Sequence, residues 1–173
     1  MDLRDRIRDV PDFPQPGIVF KDITPLLLDP QALDAAIAEL AAWARPFDVD
    51  LVVAAEARGF ILGAALAREL GVGFVPARKP GKLPHETVSA EYMLEYGVDT
   101  LELHADALAH GTRVLVHDDL IATGGTARAV CDLVERLGGV VAGAAFVIEL
   151  AFLSGRGKLA ELDFHALVTY DDG

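Results

Sequence analysis

Two adjacent carboxylates close an apolar, β-branched run, and a turn rich in threonine and glycine follows them. The stretch reads Val114-Leu115-Val116-His117-Asp118-Asp119-Leu120-Ile121-Ala122-Thr123-Gly124-Gly125-Thr126. Carboxylates such as Asp118 and Asp119 accept hydrogen bonds from neighbouring sugar hydroxyls. Backbone N–H groups of the turn, and the positive end of a helix behind it, can hold a phosphate. Gly124 and Gly125 allow positive φ and close approach of the backbone to a ligand. The combination describes a site for a phosphorylated sugar. The glycines alone would suit any strand-to-helix turn; the acid pair with Thr123 and Thr126 makes the difference. No lysine follows the glycines, so the turn is not a nucleoside-triphosphate loop.

Cations for a second anion occur elsewhere. Arg78-Lys79-Pro80-Gly81-Lys82 places three in five positions. Pro80, Gly81 and Pro84 keep that loop irregular. It reads either as a solvated basic loop or as a mobile anion-binding lid, and the phosphate turn favours the lid. Arg58 follows the apolar run 51–55 at another strand-to-helix turn, Glu56-Ala57-Arg58-Gly59-Phe60, where it could offer bidentate hydrogen bonds to a pyrophosphate or simply shape the turn. Glu91 and Glu95 share one face of an expected strand, because strand periodicity is two; a solvated face is the default for them.

These residues need a scaffold, and composition sets its limits. The chain has 173 residues, 52% hydrophobic and 24% charged, which is ordinary for a soluble globular protein. A net charge of −12 argues against a nucleic-acid or anionic-membrane partner. The longest apolar run, 140–148, is interrupted by Gly143 and falls far short of the ~20 residues that span a bilayer. The mixed-charge N-terminus shows no signal peptide. Cys131, the single cysteine, sits in a helical pattern as a small core residue, and a reducing cytoplasm fits it.

Periodicity gives the order of elements. A short helix is expected over 2–10, then an irregular arm through Pro11, Pro14, Pro16 and Gly17 leading to 18–23. A helix capped by Asp29 should run from Pro30 to about Ala44. Strand 51–55, helix 60–70 ending at Gly71, and strand 73–77 follow. Residues 90–96 should pair with 100–104 across a turn at Gly97-Val98-Asp99. The motif strand is 113–117; a helix after it carries Ala129, Leu133 and Leu137 on one face, and strands 140–150 and 165–169 complete the pattern. Alternation of strands and helices implies an α/β fold, a mainly parallel twisted sheet covered by helices on both faces. Ligands in such sheets bind at the carboxyl ends of strands, where the acid pair falls.

Along the chain, these segments resemble the type I phosphoribosyltransferases, and among them the adenine phosphoribosyltransferase family. The acid pair and its turn carry the superfamily resemblance. The narrower one rests on Phe13-Pro14-Gln15-Pro16-Gly17-Ile18-Val19-Phe20-Lys21-Asp22-Ile23-Thr24-Pro25-Leu26-Leu27, Arg58-Gly59-Phe60, Arg78-Lys79-Pro80-Gly81-Lys82-Leu83-Pro84 and Leu94-Glu95-Tyr96-Gly97. The resemblance implies one phosphoribosyltransferase domain over 1–173. Residues 1–30 would form an N-terminal hood over the base site, and 78–97 a flexible lid loop and strand. It implies transfer of phosphoribosyl from 5-phosphoribosyl pyrophosphate (PRPP) to adenine, giving AMP and pyrophosphate.

It also implies roles. Asp118 and Asp119 would hold the ribose, and Ala122, Thr123, Gly124, Gly125 and Thr126 its 5′-phosphate. Arg58, Lys79 and Lys82 would stabilise the leaving pyrophosphate. Phe20 would stack on adenine while backbone groups of Val19 and Lys21 read its edge, and Glu95 would handle the proton lost from the base. Mg²⁺ would be held mainly by PRPP and pyrophosphate, without direct protein ligation, and a homodimer is expected. Three residues depart from the family pattern: Lys21 where many members have Arg, Ala57 where Ser is common, and His117 in place of an apolar residue. Lys21 could soften base selectivity, and His117 reads as a core or supporting histidine. His85, His104, His110 and His165 show no metal-ligand spacing. Gly155-Arg156-Gly157-Lys158-Leu159-Ala160 imitates a dinucleotide fingerprint, but the 13 residues after it are too few for a βαβ unit. A transferase for another base, or a PRPP sensor without catalysis, are the alternatives; Lys79, Lys82 and Glu95 speak against the sensor.

Overall fold

In the computed structural model, which describes residues 1–94 and 97–173, the segment expected as an N-terminal helix is a single 3₁₀ turn followed by a strand. Leu3–Arg6 make one 3₁₀ turn, capped by the Asp2 carboxylate, which accepts from Arg4 N at 2.9 Å. β1 (Arg8–Pro11) then pairs antiparallel with β2 (Val19–Asp22), Val10 opposite Phe20. Pro11 explains the correction: the residue before a proline is driven out of the helical region, so Val10 is extended despite its helical spacing from Leu3 and Ile7. Opposite charges face each other across the pair, with Arg8 Nη2 2.8 Å from Asp22 and Lys21 Nζ 2.7 Å from Asp9.

The short helix α1 (Thr24–Leu28) leads to α2 (Pro30–Ala44), which begins where expected. Asp29 accepts from Gln31 N at 3.0 Å and Ala32 N at 3.4 Å, and Pro30 takes the first helical position. Next come β3 (Leu51–Ala55), α3 (Gly59–Leu70) and β4 (Gly73–Ala77). Gly71 ends α3 with φ +74°, a conformation costly for any side chain with a Cβ. The hairpin β5 (Thr87–Leu94) and β6 (Gly97–His104) precedes β7 (Arg113–Ile121), α4 (Gly125–Arg136), β8 (Val140–Leu150) and β9 (Phe164–Tyr170).

Among the described residues the central sheet is parallel and five-stranded, in the order β4-β3-β7-β8-β9. Its alternating side chains feed two cores. Val52 and Leu115 face Leu40, Leu62 and Leu66 of α2 and α3. Their neighbours Val53 and Val116 face Val130 and Leu133 of α4. Helices therefore cover both faces, and the sheet's central stretches, such as Val52–Ala55 and Val114–Val116, are apolar on both sides.

Two boundaries differ from the sequence reading. β7 does not stop at His117: Asp118 pairs with Phe146 and Ile121 with Glu149, because β8 is long enough to supply partners beyond the apolar run. Gly97, Val98 and Asp99, expected as a turn, pair with Leu94, Met93 and Tyr92, so the ladder continues through them. The β5–β6 hairpin forms a separate two-stranded sheet, with Ala90, Leu101 and Leu103 buried in the α4-side core. Arg78 and Glu102 exchange backbone hydrogen bonds of 3.0 and 2.7 Å, tying the hairpin to the end of β4.

Candidate functional site

Asp118 and Asp119 lie near the carboxyl end of β7, the central strand of the sheet. Asp118 Oδ1 accepts from Asp119 N at 2.9 Å. Burial, reinforced by the adjacent Asp119 charge, pushes the Asp118 carboxyl well above the usual carboxylate range. Asp119 is buried and ion-pairs with Arg58, Nε to Oδ2 3.0 Å. That pair is poorly aligned: Asp119 Oδ2 and Arg58 Nη1 are both buried without a hydrogen-bond partner. Such groups retain donor and acceptor capacity that a polyhydroxylated, anionic ligand would satisfy.

The turn beyond β7 is built by its glycines. Gly124 has φ +81° and directly precedes the first residue of α4, Gly125, so the helix N-terminus opens beside the acid pair. A cavity of about 360 Å³ lies between residues 118–127, the Glu56–Arg58 turn and Lys79. All seven residues expected to hold a sugar phosphate, Asp118, Asp119, Ala122, Thr123, Gly124, Gly125 and Thr126, line it.

Of the two lysines expected on a lid, Lys79 reaches the cavity and Lys82 does not. Lys79 N donates to Glu56 Oε1 at 2.7 Å, while its ammonium pairs with Asp99 and lies 3.4 Å from Tyr92 Oη. Arg78 Nε also contacts Glu56, at 3.3 Å. Lys82 is exposed on the loop beyond. Glu95, expected to handle the base's proton, lies outside the described residues, as does Tyr96.

The β1–β2 hairpin supplies an apolar platform. Phe13 meets Phe20 edge-on with ring centroids 5.1 Å apart, beside a cavity of about 270 Å³ lined by Val10, Phe13, Phe20 and Asp22. The Arg58 guanidinium sits 4.7 Å over the Phe20 ring, so this one cation touches both the platform and Asp119. Val19 is exposed, 38%. The Lys21 side chain is buried and points elsewhere: its ammonium bonds Asp9 and stands 4.0 Å over the Tyr170 ring. Its departure from arginine therefore bears on how the hood is anchored.

His117 is a core residue, 1% exposed, with Nδ1 2.9 Å from Ala145 O; burial lowers its pKa to about 4. Cys131 is buried, and loss of solvation drives its thiol up to about 12. The residues sequence reasoning passed over are Glu56, Tyr92 and Asp99. Glu56 sits in a turn read only for its arginine. Tyr92 and Asp99 meet only through the β5–β6 register, which no local pattern displays.

No group of three or more His, Cys, Asp or Glu that could hold a metal ion occurs among the described residues. Asp119 and Glu56 are already engaged by Arg58, Lys79 and Arg78. This donor set suits Mg²⁺ only where the ligand brings most of the oxygens, as Mg²⁺ commonly requires.

Residues 26–169 match the phosphoribosyl transferase domain family. The chain is 60% identical over 171 residues to the adenine phosphoribosyltransferase of Rubrobacter xylanophilus, covering 98% of this chain and 92% of that one. The crystal structure of adenine phosphoribosyltransferase from Thermoanaerobacter pseudethanolicus superposes with a TM-score of 0.95 at 54% identity, covering 97% of this chain and 98% of that one. The Saccharomyces cerevisiae enzyme, solved with an imino-altritol bisphosphate and adenine, gives 0.90 at 40% identity and 96% coverage of both chains. An acid pair beside a glycine turn, the cations Arg58 and Lys79 and the Phe13–Phe20 pair thus occur on a chain that belongs to the phosphoribosyltransferase family, in its adenine phosphoribosyltransferase branch.

Proposed function

We propose that this site transfers the 5-phosphoribosyl group of PRPP to adenine, giving AMP and pyrophosphate, a purine-salvage reaction. The supporting observation is Arg58, whose guanidinium spans from Asp119 to the Phe20 ring. It brings the sugar-binding carboxylates and a flat apolar platform into one site, as donor and acceptor require.

In this reading Asp118 and Asp119 accept hydrogen bonds from the ribose hydroxyls. Backbone N–H groups of residues 122–126, together with the hydroxyls of Thr123 and Thr126, hold the 5′-phosphate at the start of α4. Adenine lies against Phe20, its edge read by backbone groups of Val19 and Lys21. The adenine nitrogen bonds to ribose C1 as the C1–oxygen bond to pyrophosphate breaks, and the departing oxygen takes the electron pair. Positive charge develops on the sugar, next to the acid pair, and negative charge on the leaving group, next to Arg58 and Lys79. Lys82 joins them when the lid closes and excludes water. Glu95 accepts the proton lost from the base. Mg²⁺ held mainly by oxygens of PRPP and pyrophosphate would, when bound, supply further charge neutralisation at the leaving group beside Arg58 and Lys79.

A homodimer is part of the proposal, supported by Leu28 and Ile61, apolar residues 82% and 48% exposed that a second copy could cover. Light scattering at micromolar concentration tests it; a monomer refutes it. A cytoplasmic location is also proposed, supported by the buried, unpaired Cys131. No helix among the described residues is long and apolar enough to cross a membrane.

The test of function is incubation with PRPP, Mg²⁺ and a panel of adenine, hypoxanthine, guanine, xanthine and orotate, with products separated chromatographically. AMP from adenine alone is the expected result. A nucleotide from another base would overturn the reading of the hood. PRPP binding without any product would overturn catalysis.

A further inference from the structure

The turn Gly155-Arg156-Gly157 is no dinucleotide fingerprint, yet it is pressed against the loop proposed to hold the phosphate. Gly155 is buried and opens a 3₁₀ helix, Gly155–Leu159. A Cβ built on it would lie 2.2 Å from Ala122 O, 3.0 Å from Ala122 C and 2.9 Å from Gly124 N. The contact is reciprocal, since a Cβ on Gly124 would lie 2.5 Å from Gly155 O. Backbone stands on backbone here, so no side-chain rotation could relieve an added methyl group. The loop 122–126 therefore has the ligand cavity on one side and residue 155 on the other.

The wall behind the loop is braced. Arg156 Nε is 3.4 Å from Oε1 of the buried Glu149, whose other oxygen accepts from Thr169 Oγ1 at 3.3 Å. The Arg156 guanidinium packs 4.0 Å over the Phe164 ring. Leu159 is fully buried, and Arg128 of α4 pairs with Glu161 just beyond the turn. The turn is thus fastened to β8, β9 and α4, while residues 122–124 form a connection facing an open cavity. A methyl group at 155 would displace the connection rather than the wall. Gly157 offers a contrast, having nothing within 4 Å of a built Cβ.

We infer that Gly155 is a positioning residue for PRPP: its missing Cβ sets the height of Ala122 and Gly124, and so the fit of the loop's N–H groups to the 5′-phosphate. This rests on the proposed assignment of residues 122–126 to that phosphate. Small misplacements of binding groups have large effects; about 1 Å can cost a hundredfold.

The experiment compares wild type, Gly155→Ala, Gly157→Ala and Thr123→Ala by steady-state kinetics, PRPP titration and thermal melting. Gly155→Ala should raise the KM for PRPP about tenfold or more while leaving the KM for adenine within about twofold. Gly157→Ala should match wild type. A PRPP KM within about twofold of wild type in folded Gly155→Ala, or equal losses for both substrates, overturns the inference. If Gly155→Ala does not fold, Arg156→Gln loosens the same wall and should raise the PRPP KM alone, with Arg156→Lys restoring it; a normal PRPP KM in Arg156→Gln overturns the inference. Thr123→Ala separates the two levels. If it weakens PRPP and Gly155→Ala does not, only the role of Gly155 falls. If it leaves PRPP binding unchanged, the loop assignment and the inference fall together.

Discussion

Gly59 and Asp118 stand closer than any side chain at position 59 would permit: a Cβ there would be 2.6 Å from Asp118 Oδ1 and 3.3 Å from its Cα. The start of α3 thus packs directly on an acid proposed to hold the ribose. Gly59→Ala should push that carboxylate aside and weaken PRPP binding about tenfold or more, without affecting a free-adenine titration. Calorimetry reads both. An unchanged PRPP affinity would mean that Asp118 does not need its present position.

Asp118 also carries a strain that the fold tolerates. Its folded pKa is raised by burial and by Asp119, so the folded state holds a proton more tightly than the unfolded chain. The associated stability is fully present below the unfolded pKa, about 4, and is lost as pH rises through the folded value. At neutral pH keeping a carboxyl in this buried place beside Asp119 costs stability relative to the unfolded chain, so Asp118→Asn should melt higher there, by about 2–4 °C, and be much less active. The stability difference should shrink near pH 4. A lower melting temperature at neutral pH would contradict this account.

His117 works in the opposite sense. Its folded pKa of about 4 lies below the unfolded value of 6.5, so the unfolded chain binds the proton more readily. Its contribution is full above pH 6.5 and declines as pH falls toward 4, by about 3 kcal/mol in all. Urea titrations of His117→Gln should show a flatter dependence of stability on pH across that window. An identical slope would show that other groups dominate acid unfolding.

Lys79 is held by Asp99 and Tyr92 in a cavity proposed to receive pyrophosphate. Lys79→Ala should lower kcat about 10²- to 10³-fold, as loss of one stabiliser of developing charge commonly does. Asp99→Asn removes the competitor for that ammonium and should make pyrophosphate a tighter product inhibitor. Weaker inhibition would instead make Asp99 the group that aims Lys79 productively.

For Glu95, Glu95→Gln should depress turnover while largely sparing PRPP binding, because proton acceptance follows assembly of the complex. Turnover near wild type would remove Glu95 from the reaction.

Where local chemistry decided the structure, the residues were readable in advance. The α2 cap at Asp29, the Gly71 stop and the acid pair before its glycine turn each carry their cause within a few residues. The failures had distant causes. Asp118 and Asp119 lie within β7 because β8 extends to Leu150, and Asp99 is a strand residue because Tyr92 pairs with it. The place of the Lys21 ammonium has a distant cause as well, since Asp9 and Tyr170 claim it, the latter 149 positions away; only the backbone of Lys21 enters the proposed reading of the base edge. Gly155 was dismissed with its motif; only tertiary packing shows which backbone it meets.

The Phe20 platform occupies a two-stranded sheet of its own, β1–β2, whereas the acid pair and its turn extend from the central sheet. In the proposed assignment, choice of acceptor and grip on donor therefore lie on separate stretches of chain, joined at Arg58. A lineage, or a protein engineer, can rewrite residues 8–22 to admit a different planar base while the phosphoribosyl-holding half stays intact. Under that assignment the acceptor is a replaceable part and the donor a constant one.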